Sequence, residues 1–200
     1  MKITNVEIMG LKSSAKAGGY PMMASIPDGY LFSASTEKDE KRFKSLSSAK
    51  SGSGHDSMLK GIVIQYDLTC NHVMLPQFMR YHFHDITSSQ SKMHRITEMK
   101  LSEVCDKYVL QSIIDIVQGE IEHYNHMKRQ GYNSKEELAE QYEKIMSNLP
   151  MGMELTMRIT SNYLQLKSIF NQRENHRMSF WRDYCKWVLG LPMMNIVLKR

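Results

Sequence analysis

The chain has 200 residues, 42% of them apolar and 24% charged, with a formal net charge of +5. That balance is the balance of a globular domain with a sizeable core, and it excludes wholesale disorder. Three widely spaced cysteines (Cys70, Cys105 and Cys185) without a CxxC pair argue against a disulfide framework or a structural zinc site. The N-terminus lacks the apolar run of a signal peptide and no segment has the ~18 apolar residues of a membrane span, so the expected compartment is the cytoplasm. The basic balance suits anionic partners, or solubility alone. No run of five basic residues marks a nucleic-acid arm. Seventeen methionines are available either for core gaps or for an adaptable binding surface.

Lys2 to Met9 is β-prone. Gly18, Gly19, Pro21, Pro27 and Gly29 then punctuate a loop-rich region. Thr36 to Lys50 predicts a surface helix with Thr36 as its N-cap and Lys38 to Arg42 on the solvated face. Ser51 to Gly54 is a turn or flexible link. Ile62 to Leu68 alternates as a strand, and His72 to Tyr81 is a short helix with Pro76 in its first turn. His82 to Ser91 reads as extended. Ser102 to Arg129 predicts one long helix capped by Ser102, with Leu110, Ile113, Ile114, Val117 and Ile121 as its apolar stripe. Asn133 or Ser134 caps the next helix, Lys135 to Ser147. Met153 to Thr160 alternates as a strand, and Asn162 to Glu174 and Met178 to Leu189 are the last two helices. Strands and helices without regular βαβ alternation predict an α+β class and a single domain over residues 1–200.

Three segments hold side chains suited to chemistry. Gly54-His55-Asp56-Ser57 fits a close approach to phosphate or a simple Asx turn. Gln77-Phe78-Met79-Arg80-Tyr81-His82, followed by Ser88-Ser89-Gln90-Ser91, offers an amide, a guanidinium and hydroxyls, suited to a phosphate or a base edge. Asn162 and Arg173 stand at the two ends of one helix, with His176 and Arg177 just beyond. That basic group either binds a ligand or complements the helix dipole.

Taken in order and with their spacings, these segments resemble the flavin-dependent thymidylate synthases over roughly residues 50–185. Gly54-His55 matches the family's turn before a strand. Gln77-x-x-Arg80-Tyr81-His82 stands where the family has Gln-x-x-Arg-His-Arg. Ser88 to Ser91 matches its polar loop, and Leu149-Pro150 precedes the later strand. Asn162 to Arg173 keeps the family helix's spacing. The compact length suits a divergent, phage-type version. The resemblance implies a mixed or antiparallel sheet packed with helices and a homotetramer binding FAD and dUMP at subunit junctions. It further implies reductive methylation of dUMP to dTMP, with methylenetetrahydrofolate and NADPH as co-substrates. By position, Gln77, Arg80, Ser91 and Arg173 would contact the nucleotide, with Arg173 and Ser91 as the catalytic pair and Arg173 on the pyrimidine carbonyl. His55, Ser57, Arg80, Tyr81, His82, Asn162 and Ser168 would hold the flavin.

In the helix Ser168 and Ile169 replace the family's Asn/His-Phe pair, and the other departures fall mostly on charged positions. Tyr81 replaces the signature histidine and His82 its second arginine. Lys60 replaces an acid, and Met93, Met146 and Leu164 replace arginines, two of which normally clamp the nucleotide phosphate. Lys60, Lys92, Lys144 or His94 are the available substitutes, each without the arginine fork. Two rival readings follow: a diverged family member acting on another pyrimidine nucleotide, or a non-catalytic nucleotide- or nucleic-acid-binding protein of the same fold. Glu120, His123 and His126 share a helical face, and His82 and His84 would share a strand face beside Asp85. Neither group completes a metal-ligand set, so no metal is assigned. Cys185, beside Arg182 and Lys186, is read either as a buried thiol or as one with a depressed pKa.

Overall fold

The computed structural model describes residues 1–131 and 133–200. Its strands are β1 (Lys2–Met9), β2 (Val63–Asn71), β3 (Asp85–Ser89) and β4 (Glu154–Asn162), hydrogen-bonded in the order β1-β2-β4-β3. The helices are α1 (Leu11–Ala17), α2 (Glu37–Ser47), α3 (Leu75–Phe78), α4 (Lys92–Arg95), α5 (Leu101–Val104), α6 (Gln111–Gln130), α7 (Lys135–Asn148), α8 (Tyr163–Arg173), α9 (Ser179–Leu189) and α10 (Met194–Leu198). This is the α+β class, with an antiparallel sheet and helices. Along β2 and β4 every second residue is buried, as the alternation of the sequence requires. The exposed-side residues pair across the two strands. Gln65 donates to Thr160 at 3.1 Å and the hydroxyls of Thr69 and Thr156 meet at 2.8 Å, so numbers fall on β4 as they rise on β2.

Contacts divide the chain into two compact units. The first comprises Met1–Lys2, Leu68–Phe78 and Ser88–Met157. Its core contains Ile96, Leu101, Ile114, Val117, Ile121, Ile145, Met153 and Leu155. Ser134 caps α7 in a reciprocal box with Glu137. The single helix expected from Ser102 is broken. Cys105 forms an isolated antiparallel bridge with Met153, and Asp106 accepts the amide of Tyr108 at 2.9 Å and the amide group of Asn71 at 2.6 Å. A carboxylate that holds a non-helical backbone amide and a distant side-chain amide ends the helix, although the apolar period runs on. Of the stripe expected on α6, Ile114, Val117 and Ile121 are buried, while Leu110 is 65% and Ile113 40% exposed.

The second unit comprises Ile3–Asp67, Met79–Thr87 and Arg158–Arg200. Thr36 caps α2 as the sequence predicts, in a reciprocal box with Asp39. Asp39 is therefore buried and does not belong to a solvated run from Lys38 to Arg42. Hydrogen bonds from the Thr36 amide and hydroxyl, then Tyr30, hold its carboxyl down at about 2. Lys16 on α1 is also buried, with its ammonium on Ser33 Oγ at 2.5 Å and the Ala34 carbonyl at 3.0 Å. Helix α1 and the short α10, which follows α9, stand outside the helices expected from the sequence. Asn162 caps α8 by accepting the Gln165 amide at 2.9 Å. Tyr163, Leu166, Ile169 and Phe170 of α8 and Trp181, Tyr184, Cys185 and Val188 of α9 are buried.

One polar side chain shares that buried surface. The Lys167 ammonium lies 2.6 Å from Asp56 Oδ2, 2.8 Å from the Ser47 carbonyl and 2.6 Å from the Ala49 carbonyl. The two charged side chains are 5% and 3% exposed. This pair fixes the Gly-rich segment after α2 against α8. Leaving either charge alone is expected to cost about 3–5 kcal/mol of stability. Denaturant unfolding of Asp56→Asn and Lys167→Met measures this. The double variant should lose less than the sum of the two single losses, because neither charge is then stranded.

Candidate functional site

A cavity of about 620 Å³ opens in the second unit between the 51–60 segment and the start of α8. Ser51, Gly52, Gly54, Asp56, Ser57 and Lys60 line one side, and Asn162, Leu164, Gln165 and Ser168 the other, with Phe83 at the rim. Gly52 and Gly54 have φ of 85° and 79°, and a Cβ at either would meet nothing within 4 Å. They are there for the backbone turn, and they leave an open, uncovered main chain facing the cavity. Ser57 donates its hydroxyl to the Gly54 carbonyl at 2.7 Å, which closes the turn. Asp56 lies beneath, committed to Lys167, so Lys60 is the cation left to the cavity among its lining residues. Three of the residues expected at the flavin (Ser57, Asn162 and Ser168) are thus brought together. His55 belongs to the same turn and is exposed. Gln165 and Phe83 were not anticipated.

Arg173 ends α8 and is half-buried. Its Nε donates to the Tyr81 hydroxyl at 2.7 Å, and that hydroxyl donates to Gln172 at 3.2 Å. The guanidinium lies over the Trp181 ring, 4.7 Å from its centroid, and 5.7 Å from that of Tyr81. Aromatic faces attract the cation, and the hydrogen bond fixes its rotation. Tyr81, in the signature histidine's place, therefore orients this arginine. Arg80 and His82 are exposed. Gln77, on α3 in the first unit, donates to the Val73 carbonyl, and Ser91 in the same unit caps α4 by accepting the His94 amide at 3.3 Å. Lys144 is engaged by Glu120 at 2.8 Å. Met93 is 57% exposed, and Met146 packs against the first unit's core.

Below the rim lies a buried polar chain with a definite direction. The Ser161 hydroxyl donates to the Phe83 carbonyl at 3.1 Å, which can only accept. His84 Nδ1, 3.1 Å from Ser161 Oγ, must then be the donor to it. Burial drives the His84 pKa down to about 3, so the ring is neutral and its Nε2 accepts from Tyr66 at 3.2 Å. Tyr184 in turn donates to Tyr66 at 2.6 Å. His82 and His84 do not share a face as expected of a strand. Phe83 has φ of 56°, which breaks the alternation before β3 begins, leaving His82 exposed and His84 buried. Among the described residues no group of three His, Cys, Asp or Glu is arranged to hold a metal ion. Cys185 is not activated by its basic neighbours, because burial raises its thiol to about 12.

Lys167, Asp56 as its partner, and Phe83 lie outside the site residues expected from the sequence. A signal for the first was present: Lys167 stands four residues from Tyr163 and three from Phe170, on an apolar face where an isolated cation needs an acid. No local pattern marked the positive φ of Phe83.

No family model matches the chain, and no curated protein matches it. Solved structures do. A flavin-dependent thymidylate synthase from Helicobacter pylori complexed with FAD and dUMP matches with a TM-score of 0.69 at 12% identity, over 99% of this chain and 97% of that one. A second structure of that enzyme with FAD and dUMP gives a TM-score of 0.70 at 12% identity, over 99% and 96%. The chain therefore has the flavin-dependent thymidylate synthase fold. Among the described residues no helix is long and apolar enough to cross a membrane.

The direction of the buried chain sets a pH dependence. The native state binds no proton at His84 until about pH 3, whereas an unfolded histidine titrates near 6.5. Its stabilising contribution is therefore complete above pH ~6.5 and is lost as pH falls toward 3, by roughly 1.4 kcal/mol per pH unit at most. Denaturant unfolding from pH 7 to 4 should show that slope in the wild type and a shallower one in His84→Asn. Parallel slopes would mean that His84 is not buried neutral.

Proposed function

We propose that the chain is a flavin-dependent thymidylate synthase-like enzyme that converts dUMP to dTMP, with FAD as cofactor and methylenetetrahydrofolate and NADPH as co-substrates. The observation that carries the reading is the cavity. Ser57, Asn162 and Ser168, assigned to flavin by sequence position, meet in one concave site within a fold shared with enzymes solved with FAD and dUMP. The lining suits such a group: open glycine backbone, neutral hydroxyl and amide donors, one lysine, and an aromatic ring at the rim. His55, Arg80, Tyr81 and His82 complete the proposed flavin contacts. When bound, FAD supplies the hydride chemistry.

The protein's part is binding and polarisation. Arg173 would hold the pyrimidine carbonyl, with Gln77, Arg80 and Ser91 as further nucleotide contacts. Held by Tyr81 and Trp181, Arg173 is ready to stabilise negative charge developing on the ring without reorganising. The proposed assembly is a homotetramer with sites at subunit junctions. In the first unit Tyr108, Leu110, Ile116 and Met151 are apolar and at least 58% exposed, a supply of surface for contact with a second copy.

The replacement of charged positions by Tyr81, Met93, Met146 and Leu164 favours the second reading, a protein of the same fold that binds a nucleotide without turnover or acts on another pyrimidine. A visible spectrum after incubation with FAD and gel filtration separates them. The expected result is a retained flavin band and formation of dTMP from dUMP, methylenetetrahydrofolate and NADPH. Arg173→Ala should retain the flavin and lose at least about a hundredfold in kcat. No retained flavin would leave the nucleotide-binding reading.

A further inference from the structure

The turn from α8 to α9 gathers three guanidiniums, and among the described residues no carboxylate pairs with any of them. The two acids of the same stretch are engaged elsewhere: Glu174 with Arg200 at 2.5 Å and Asp183 with Lys186 at 3.7 Å. Arg173, Arg177 and Arg182 are left as three uncompensated positive charges. Two of them are held in place. Arg173 is fixed by the Tyr81 hydroxyl and the Trp181 ring. Arg182 donates from Nη1 to the carbonyls of His176 and Arg177, each at 2.7 Å.

A guanidinium has five N–H donors. Arg173 spends only its Nε, and Arg182 only its Nη1. Both Nη groups of Arg173 and the Nε and Nη2 of Arg182 therefore keep donors for a ligand. His176 is set among them. Its Nδ1 accepts the Met178 amide at 3.2 Å, and its ring stands edge-on to Trp181 with centroids 6.3 Å apart. Its pKa is lowered, first by burial and then by Arg173, Arg177 and Arg182, so all three cations act on one imidazole.

We infer that this turn, formed by Arg173, His176, Arg177 and Arg182, is a binding site for a phosphate group, free or carried on a nucleotide. Phosphate is a dianion with several acceptor oxygens, and forked, pre-oriented arginines match it better than they match a single carboxylate. The assignment goes beyond the dUMP reading and stands without it. Arg173 has donors enough to serve a carbonyl and a phosphate oxygen together.

The test follows the His176 imidazole by NMR in the full chain, with inorganic phosphate, dUMP and deoxyuridine in turn and chloride at matched ionic strength as control. Inorganic phosphate should raise the His176 pKa in a saturable manner that chloride does not reproduce. Arg177→Gln removes an exposed side chain, so the fold is preserved, and it should weaken the phosphate effect about tenfold. A response to dUMP but not to deoxyuridine would identify the phosphate as the nucleotide's. A response to inorganic phosphate with none specific to dUMP would uphold the site while counting against the thymidylate reading. A His176 resonance indifferent to phosphate, or moved equally by chloride or by deoxyuridine, would overturn the site.

Discussion

The second unit depends on one ammonium. Lys167 meets three acceptors, and an ammonium has three N–H bonds to give. Asp56 supplies the opposite charge, while the Ser47 and Ala49 carbonyls lie just where α2 runs out and its last backbone acceptors would otherwise lack partners. One side chain on α8 thereby ties down the end of α2, the glycine-rich turn and its own helix. A hydrophobic residue at 167 would pack against the same elements and leave those carbonyls unsatisfied. The pair also decides the charge of the cavity above it. With Asp56 neutralised, Lys60 sets the sign facing a ligand, which suits an anion at a place where the resembling family carries an acid.

The elements that were legible in the sequence are those whose signal is local. The alternation of Ile64, Tyr66 and Leu68 on β2 and of Leu155, Met157 and Ile159 on β4 needs no partner to be read. The caps at Thr36 and Ser134 are fixed by hydrogen bonds to backbone three residues away, whereas Ser102, expected as a cap, lies inside α5. The failures are non-local. The break after Val104 depends on Cys105 bridging to Met153, nearly fifty residues on, and the apolar period through Leu110 carried no trace of it. Asp39 reads as one more charge in a charged run until its bonds to Tyr30 and Thr36 are seen. Cys185 had two readings, and burial on α9 decides for the inert thiol over the activated one.

The candidate site divides along the same line. Ser57, Asn162 and Ser168, which a motif with fixed spacing picks out, lie around one cavity. Position alone did not reveal what Tyr81 does. A histidine there reads as a flavin contact. A tyrosine has a longer reach and a hydroxyl that both accepts and donates, and it uses the two capacities on Arg173 and Gln172. Tyr81 is therefore a support that fixes the orientation of an arginine.

The buried chain beneath the rim gives the strain at Phe83 a physical account. A bulky residue at positive φ costs of the order of 1–3 kcal/mol unless its surroundings determine it. Here the Phe83 carbonyl receives the Ser161 hydroxyl, whose oxygen is in turn occupied by His84 Nδ1. The direction of every later bond follows: Tyr66 gives to Nε2, and Tyr184 gives to Tyr66. A second proton on His84 would face the Tyr66 hydroxyl hydrogen and reverse the chain from its middle. Burial excludes that proton, so the same desolvation that keeps the imidazole neutral keeps the carbonyl anchored. The outcome is a Phe83 side chain 71% exposed at the mouth of the cavity, an apolar ring held in solvent by a polar network beneath it. Folding alone would favour the reverse arrangement, with the ring inside and the polar groups out. Ring stacking by a planar ligand would recover the apolar contact that the free protein forgoes.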